Sequence, residues 1–263
     1  MNGALKFSAL WFLLWFSPLV CVYPTAVNGQ GCGAWQWANP LPTASPLKAV
    51  TWGDGQFVAV VGWNGTIVTS QDGESWVPQT AVTSDDLEGV AWGGNQFVAV
   101  GGSWPNGPII LTSPDGATWT SQRPNIGGEF DRFRDVTWGE NRFVAVGDSE
   151  LILTSFDGVN WTTQSGISLS NFSGITWNGS LFVAVGERYG TVHLGDGAAI
   201  YTSPDGVTWT RHVSGYDGEI GDIAWGNGQF VALGVEPAEG AVLTSRTAET
   251  GQPRASVISS LKV

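Results

Sequence analysis

Short apolar runs separated by turn-forming residues recur along most of this chain. The run Phe57-Val58-Ala59-Val60 is apolar at four consecutive positions, and similar runs begin at Phe97, Phe143, Phe182 and Phe230. A strand with one wet face alternates apolar and polar residues, whereas a strand buried on both faces is apolar throughout. The runs therefore predict strands that are packed between two neighbouring layers.

A tryptophan stands five residues before each of these phenylalanines. The five tryptophans are spaced by 40, 46, 39 and 48 residues and are Trp52, Trp92, Trp138, Trp177 and Trp225. The residues between Trp and Phe are mostly Gly, Asn and Asp, which accept the positive φ of tight hairpins. Self-similarity at this period predicts five copies of one unit of roughly 45 residues.

A second motif, Thr-Ser-x-Asp-Gly-x-x-Trp, follows the first in four of the five copies. It begins at Thr69, Thr112, Thr154 and Thr202. Its carboxylate can accept backbone N–H groups of its own turn, its glycine suits a left-handed position, and its indole can fold back onto the sheet. We interpret it as a structural turn built on Asp72, Asp115, Asp157 and Asp205, with Trp76, Trp119, Trp161 and Trp209.

Each unit divides into four short strands. In the first copy they span residues 47–52, 56–62 and 66–70, and the fourth begins at Trp76. Such a meander is typical of a propeller blade. We therefore predict an all-β propeller, with five blades of four antiparallel strands.

The two ends of the repeat region suggest how the ring closes. Residues 33–40 align with the segment from Thr118 to Pro124, so they are expected to be an isolated fourth strand. The last copy has Arg246-Thr247 where its Asp-Gly turn should stand. We expect the N-terminal strand to complete the last blade and close a monomeric ring; the rival is an open fragment of a larger propeller. Residues 250–263 are expected to form a loose arm or an extra strand.

The Asp-Gly-x-x-Trp turns resemble those of the Asp-box, or bacterial neuraminidase repeat, superfamily of β-propellers. The resemblance covers nearly the whole of the predicted mature chain, which starts near Gln30. The sialidase form of the motif has one more residue between Asp and Gly, and this chain is more similar to exported propellers with the Asp-Gly variant and, more distantly, to photosystem assembly factors. The resemblance implies the propeller fold more strongly than any function.

The N-terminal residues resemble an export signal. Lys6 precedes an apolar run over residues 9–22, and Val27-Asn28-Gly29 offers small residues for cleavage. Residues 1–29 are thus predicted to be a signal peptide, followed by a propeller over 30–249 and a tail over 250–263. A retained membrane anchor is disfavoured because Ser17 and Pro18 interrupt the run. We expect a secreted, periplasmic or cell-envelope protein without a membrane span in its mature form.

Composition limits the partners. The formal net charge is −12, which disfavours a nucleic-acid groove or an anionic membrane surface. Cys32 is alone once Cys21 leaves with the signal, so the mature chain is expected to have no internal disulfide. His193 and His212 are isolated and the glycine-rich turns lie between strands, so we expect no metal and no cofactor.

The loops opposite the Asp turns vary most in length and are the predicted ligand face. The candidate binding residues there are Trp63, Trp104, Asp148, Glu187, Arg188, Tyr189, Tyr216 and Glu236. Trp63 and Trp104 could stack on sugars or simply pack at the rim. Glycoside hydrolysis needs a pair of nearby carboxylates, which Asp148, Glu187 and Glu236 could supply.

These observations favour a noncatalytic exported propeller that binds a glycan or a protein partner. One alternative is a sialidase-like glycoside hydrolase, although the three Arg and the Tyr-Glu pair of that family are not matched by any arrangement in this sequence. The other is an assembly factor for a membrane complex, as the resemblance to photosystem assembly propellers implies.

Overall fold

A computed structural model describes residues 46–80, 82–123, 126, 128–165, 167, 170–188, 197–235, 240–246 and 254–256. Regular structure in these residues consists of strands alone. The strands are β1 (Leu47–Gly53), β2 (Gln56–Val61), β3 (Ile67–Ser70), β4 (Val77–Pro78), β5 (Leu87–Gly93), β6 (Gln96–Ser103), β7 (Gly107–Ser113), β8 (Thr120–Gln122), β9 (Phe133–Gly139), β10 (Arg142–Gly147), β11 (Ile152–Ser155), β12 (Thr162–Thr163), β13 (Ser170–Trp177), β14 (Phe182–Arg188), β15 (Ala198–Ser203), β16 (Thr210–His212), β17 (Glu219–Gly226), β18 (Gln229–Val235), β19 (Ala241–Ser245) and β20 (Arg254–Ser256).

The strands form five four-stranded antiparallel sheets, each a simple meander in chain order. The predicted all-β fold with five blades is therefore confirmed. The hairpins between the first two strands of a blade use left-handed residues, such as Asp54 (φ 46°) with Gly55 (φ 74°) and Asn227 (φ 49°) with Gly228 (φ 73°). Two successive positive φ values are the geometry of the type I′ turn, whose twist matches that of the flanking strands.

The fourth strand of the fifth blade differs from the prediction. It is β20, which pairs antiparallel with β19 through Val242↔Ser256 and Thr244↔Arg254. Residues 33–40, which we expected at this edge, lie outside the described residues. β20 follows β19 after a short connection, so its pairing closes a smaller loop than a strand from the other end of the chain would. Arg254–Ser256, from the segment 250–263, thus form the fourth strand of this blade.

The cores lie between blades. Phe97 and Ala99 of β6 pack with Val58 and Val60 of the first blade. The alternate residues of β6, Val98 and Val100, pack with Phe143 and other residues of the third blade. Both faces of this strand are therefore dry, which explains its unbroken apolar run. Similar cores join the third blade to the fourth and the fourth to the fifth.

The innermost strands of neighbouring blades pack closely, because the indole of one blade lies against a glycine of the preceding blade. A Cβ atom built on Gly53 would lie 2.2 Å from the ring of Trp92, and one built on Gly93 would lie 2.1 Å from that of Trp138. A side chain at either glycine would overlap the indole. Glycine is therefore needed at these positions because it leaves room for the indole of the next blade.

The Asp turns join the third and fourth strands. Asp115 Oδ1 accepts the backbone N–H groups of Thr118 at 2.7 Å and Ala117 at 2.9 Å. These two bonds hold the pKa of Asp115 at about 2, and Asp72 has a pKa of about 2 for the same reason. Trp119 Nε1 donates to the Gly116 carbonyl at 2.8 Å. The same contacts recur around Asp157 and Asp205.

Candidate functional site

A β-bulge interrupts the innermost strand of every blade. In β1 the pairing passes from Leu47↔Val61 to Ala49↔Val60, so Lys48 has no partner in the ladder. The bulged residue is always four positions before the inner-strand tryptophan, and in the other blades it is Glu88, Arg134, Ser173 and Gly221. Bulges bend a strand and redirect a side chain. The bulges therefore take four polar side chains out of the regular alternation of their strands, at the same position in each blade. These are Lys48, Glu88, Arg134 and Ser173.

All five bulged positions border one cavity of about 270 Å³, here called the central cavity. It is lined by residues of the inner strands and by Asp148 and Glu187 from neighbouring segments. Its carboxylates outnumber its cations, with Glu88, Asp135, Asp148, Glu187, Glu219 and Asp222 against Lys48 and Arg134. Convergence of charged groups in a concave site is typical of ligand binding.

One side of the central cavity is a chain of ion pairs. Lys48 Nζ lies 3.1 Å from Glu88 Oε2, and Arg132 Nη1 lies 4.0 Å from Glu88 Oε1. Arg132 Nε then lies 3.5 Å from Asp148 Oδ2, and Asp148 Oδ1 accepts a hydrogen bond from Arg134 Nε at 2.8 Å. The opposite charges of these groups offset one another on this side of the cavity.

The other side carries two carboxylates, here called the acidic side. Asn171 Nδ2 donates to Glu187 Oε1 at 2.9 Å, and Ser173 Oγ donates to Glu219 Oε1 at 3.4 Å. Among the described residues neither carboxylate forms an ion pair. Burial, and secondly the charge of Glu187, raise the pKa of Glu219 above its ordinary value. The acidic side is thus suited to a group that brings positive charge.

Two further carboxylates of the inner strands accept backbone N–H groups at the wall of the cavity. Asp135 is buried and accepts the N–H of Val136 at 2.7 Å and that of Ile175, in the next blade, at 2.9 Å. Asp222 accepts the N–H of Ile223 at 2.8 Å. A Cβ on Gly174 would lie 3.1 Å from Asp222 Oδ1. These groups position the wall of the cavity.

The sequence-predicted residues separate into those at the cavity and those away from it. Asp148 and Glu187 line it. Arg188 ends β14 and its N–H donates to the Gly197 carbonyl at 2.8 Å, while the ring of Tyr216 lies over Gly234 in the core of the fifth blade. Trp63 is exposed and lies outside the cavity lining. Tyr189 and Glu236 lie outside the described residues.

Trp104 belongs to a separate aromatic pair. It is 67% exposed and stacks on Phe130, which is 77% exposed, with ring centroids 6.4 Å apart and 21° between the planes. The loop that carries Trp104 is tied to the buried Asp85, which accepts from Ser103 Oγ at 2.6 Å and Asn106 Nδ2 at 2.8 Å. Burial raises the pKa of Asp85, but these bonds, together with those from Thr83 and Arg123, outweigh it and leave the pKa below its ordinary value. These hydrogen bonds hold the loop that carries Trp104 in place.

Sequence reasoning missed Lys48, Glu88, Ser173 and Glu219 because it looked for ligand residues in the loops. A signal was present. The column four residues before the inner tryptophan reads Lys, Glu, Arg, Ser, Gly, so it is polar in four of the five copies. Polar residues at one repeated position of buried strands indicate a shared polar feature, which here is the central cavity.

The described residues contain no group of three or more His, Cys, Asp or Glu side chains placed to hold a metal ion. They also contain no helix that is long and apolar enough to cross a bilayer. His212 Nε2 lies 2.8 Å from Thr202 Oγ1, and His193 lies outside the described residues.

Comparisons with known proteins support the fold. No protein-family model and no curated protein matches the chain. Among solved structures it is similar to YCF48 bound to D1 peptide, with 19% identity over 82% of this chain and 83% of that chain and a TM-score of 0.54. YCF48 from Cyanidioschyzon merolae gives 18% identity over 82% and 73% of the two chains, with a TM-score of 0.58.

A third structure, virginiamycin B lyase from Staphylococcus aureus, gives 17% identity over 78% of this chain and 69% of that chain, with a TM-score of 0.63. Identities this low carry the fold and not the function. Membership of the Asp-box superfamily therefore stays a prediction. By architecture and by structural likeness, the chain is a β-propeller.

Proposed function

We propose that this protein is a noncatalytic, exported binding module whose central cavity takes a polypeptide partner. The observation that supports this most is that all five inner strands turn residues into one cavity rich in carboxylates. A peptide offers backbone donors and basic side chains, and both suit a wall of carboxylate and amide oxygens. The acidic side, Glu187 and Glu219, is the proposed contact for a basic group of the partner.

The structural likeness to YCF48 adds support by analogy of fold. One of those structures holds YCF48 bound to D1 peptide. Peptide recognition is therefore within the capacity of a propeller of similar shape. The proposal of an assembly factor for a membrane complex is a special case of this function, in which the bound polypeptide belongs to such a complex.

The arrangement of arginines supports a noncatalytic role. A sialidase-like site would need guanidinium groups free to grip a substrate carboxylate. Arg132 and Arg134 instead both contact Asp148. We expect no hydrolysis of a panel of chromogenic glycosides; turnover that disappears in Glu187→Gln would favour the hydrolase.

The peptide proposal is tested with a phage-displayed library of random short peptides, followed by affinity measurements on synthetic copies of those selected. Selected peptides should be rich in Lys and Arg and should bind more weakly at higher salt. Glu187→Gln should weaken binding about tenfold, or ~1.4 kcal/mol. Glu74→Gln, in an exposed Asp turn, is the matched control. Equal affinities for Glu187→Gln and wild type would overturn the assignment.

A glycan is the second candidate ligand, and the exposed Trp104–Phe130 pair is the observation that favours it. Flat aromatic faces of this kind can stack on a sugar ring. Glycan-array binding that is lost in Trp104→Ala and in Phe130→Ala, but kept in Trp63→Ala, would support this ligand. Binding lost equally in all three variants would not.

We expect the protein to act outside the cytoplasm, after export. Residues 1–29 carry the predicted signal peptide, which lies outside the described residues. Fusion of these residues to a reporter that is active only outside the cytoplasm should give activity. An inactive fusion would contradict the proposed export.

A further inference from the structure

Arg132 connects the exposed aromatic pair with the central cavity. It follows Phe130 by two residues, and two residues of chain span at most about 7 Å. A Cβ built on Gly102 would lie 3.0 Å from the Cβ of Arg132, and Trp104 follows Gly102 by two residues. Both rings are therefore carried within two residues of one point, where the β6 backbone packs on Arg132.

The guanidinium group of Arg132 reaches the cavity from this point. Its Nη1 lies 4.0 Å from Glu88 Oε1, and its Nε lies 3.5 Å from Asp148 Oδ2. Glu88 and Asp148 both line the central cavity. The aromatic pair and the cavity are thus neighbouring parts of one surface, joined through the side chain of a single arginine.

Both loops of the aromatic pair are anchored. The loop that carries Trp104 is held by the hydrogen bonds already described. In the loop that carries Phe130, the Asp131 N–H donates to the Gly128 carbonyl at 3.1 Å, and Asp131 Oδ1 accepts from Ser149 Oγ at 2.5 Å. Anchored loops have little conformational freedom to lose when a partner binds. The pair is therefore prepared for contact with a ligand.

We propose that the Trp104–Phe130 pair and the acidic side bind one polypeptide segment, in which an aromatic or large apolar residue stands close in sequence to a basic residue. This inference rests on the function proposed above and names the chemistry of the partner. Aromatic side chains are enriched at protein interfaces. A segment that contacts both features would bury the exposed rings and bring its cation to Glu187 and Glu219.

A polypeptide suits the two features together better than a glycan does. A neutral sugar stacks on aromatic rings, but it brings no positive charge to the carboxylates of the acidic side. A polypeptide carries an apolar side chain and a Lys or Arg cation on neighbouring residues. The closeness of the rings to the cavity therefore favours a polypeptide.

Peptide selection on variants of the protein tests this inference. Peptides selected by wild type from the phage library should combine Lys or Arg with an aromatic or large apolar residue at a fixed separation. Selection on Trp104→Ala should keep the basic residue and lose the apolar one. Trp63→Ala is the matched control, because it removes an exposed indole from the corresponding loop of the first blade. Peptides of unchanged composition from Trp104→Ala, or equal changes with both variants, would overturn the inference.

A double-mutant cycle on one selected peptide identifies the residue that lies on the aromatic pair. Trp104→Ala should weaken binding about tenfold, and replacement of the apolar residue of the peptide by Ala should then have little further effect. Replacement of the basic residue should still weaken binding to Trp104→Ala, but should have little effect on binding to Glu187→Gln. Additive effects of Trp104→Ala and the apolar replacement would contradict a shared contact.

The failure of this inference differs from the failure of the proposed function. If Glu187→Gln weakens peptide binding and Trp104→Ala does not, the cavity binds a peptide without the aromatic pair; if neither variant weakens it, both proposals are wrong. Glycan binding that Trp104→Ala abolishes, with unchanged peptide affinity, would assign the pair to a glycan. The melting temperature of Trp104→Ala should match that of wild type. A large decrease would mean that the chain itself covers the ring, and would overturn the inference.

Discussion

At the scale of single residues, the Asp turn combines a carboxylate that closes the turn with an indole that fills the space between blades. Asp115 is exposed and its bonds lie at the surface, whereas Trp119 is only 6% exposed and belongs to the core between the first two blades. Burial of a large ring contributes more to stability than a surface hydrogen bond does.

Trp119→Ala should therefore destabilise the protein more than Asp115→Ala. Loss of a buried tryptophan costs about 3–5 kcal/mol, and the loss at Asp115 should be smaller because water replaces its partners. Thermal melts of the two variants make the comparison. Equal melting temperatures would contradict this division of roles.

The same carboxylates predict a loss of stability in acid. The pKa values of Asp72 and Asp115 are about 2 in the folded protein, against an ordinary value of 3.8. A depressed pKa means that the ionised form stabilises the fold above pH 4, and that this contribution is lost as the pH falls from about 4 to about 2. Melting temperatures of Asp115→Asn should fall less steeply over this range than those of wild type. Parallel curves would show that the turn carboxylate is not responsible.

Glu219 predicts the opposite effect. Burial, and then the charge of Glu187, raise its pKa, so its ionisation disfavours the folded state at neutral pH. Glu219→Gln should melt at a higher temperature than wild type at pH 7, and the difference should vanish in acid, where Glu219 is protonated. A variant that is less stable at pH 7 would mean that the carboxylate is neutralised by a partner.

At the scale of strands, the same glycine column has two environments. Gly93 lies under the indole of Trp138, whereas Gly226 faces open space among the described residues. The inner strands therefore approach closely where a blade follows and not where none does.

This difference predicts unequal costs for one substitution. Gly93→Ala forces a methyl group into the indole and should destabilise the fold by about 1–3 kcal/mol. Gly226→Ala should be nearly neutral, since no described atom lies within 4 Å of the place that its methyl group would occupy. Denaturant unfolding of both variants provides the values, and equal costs would mean that the fifth blade is covered.

The strands also show what the sequence could predict. The unbroken apolar run of β6 indicated burial on both faces, and the Gly, Asn and Asp residues indicated the hairpins. The bulge at Lys48 and its counterparts was not predicted, because a bulge is visible only in the pairing register between two strands. The polar column that contains Lys48 was visible in the sequence, but without the bulge it did not indicate a cavity; Asp148 and Glu187 were chosen as loop residues, and the structure places Glu187 in β14.

At the scale of the whole molecule, repetition determines both the fold and the site. Each blade is one unit that cannot bury its faces alone, so stacking supplies the core. A residue at one repeated position of the unit then appears once per blade around the axis. The origin of the last strand could not be predicted, because the sequence of β20 lacks the repeat pattern. Residues 33–40 were therefore expected as the fourth strand of the fifth blade.

The most direct test of the account is hydrogen–deuterium exchange of the protein with and without a library-selected basic peptide. We expect slower exchange in the first halves of β1, β5, β9, β13 and β17 together, since these segments border the central cavity. The Asp turns should not change. Protection confined to the Asp turns, or to a single blade, would contradict the claim that the five inner strands form one binding site.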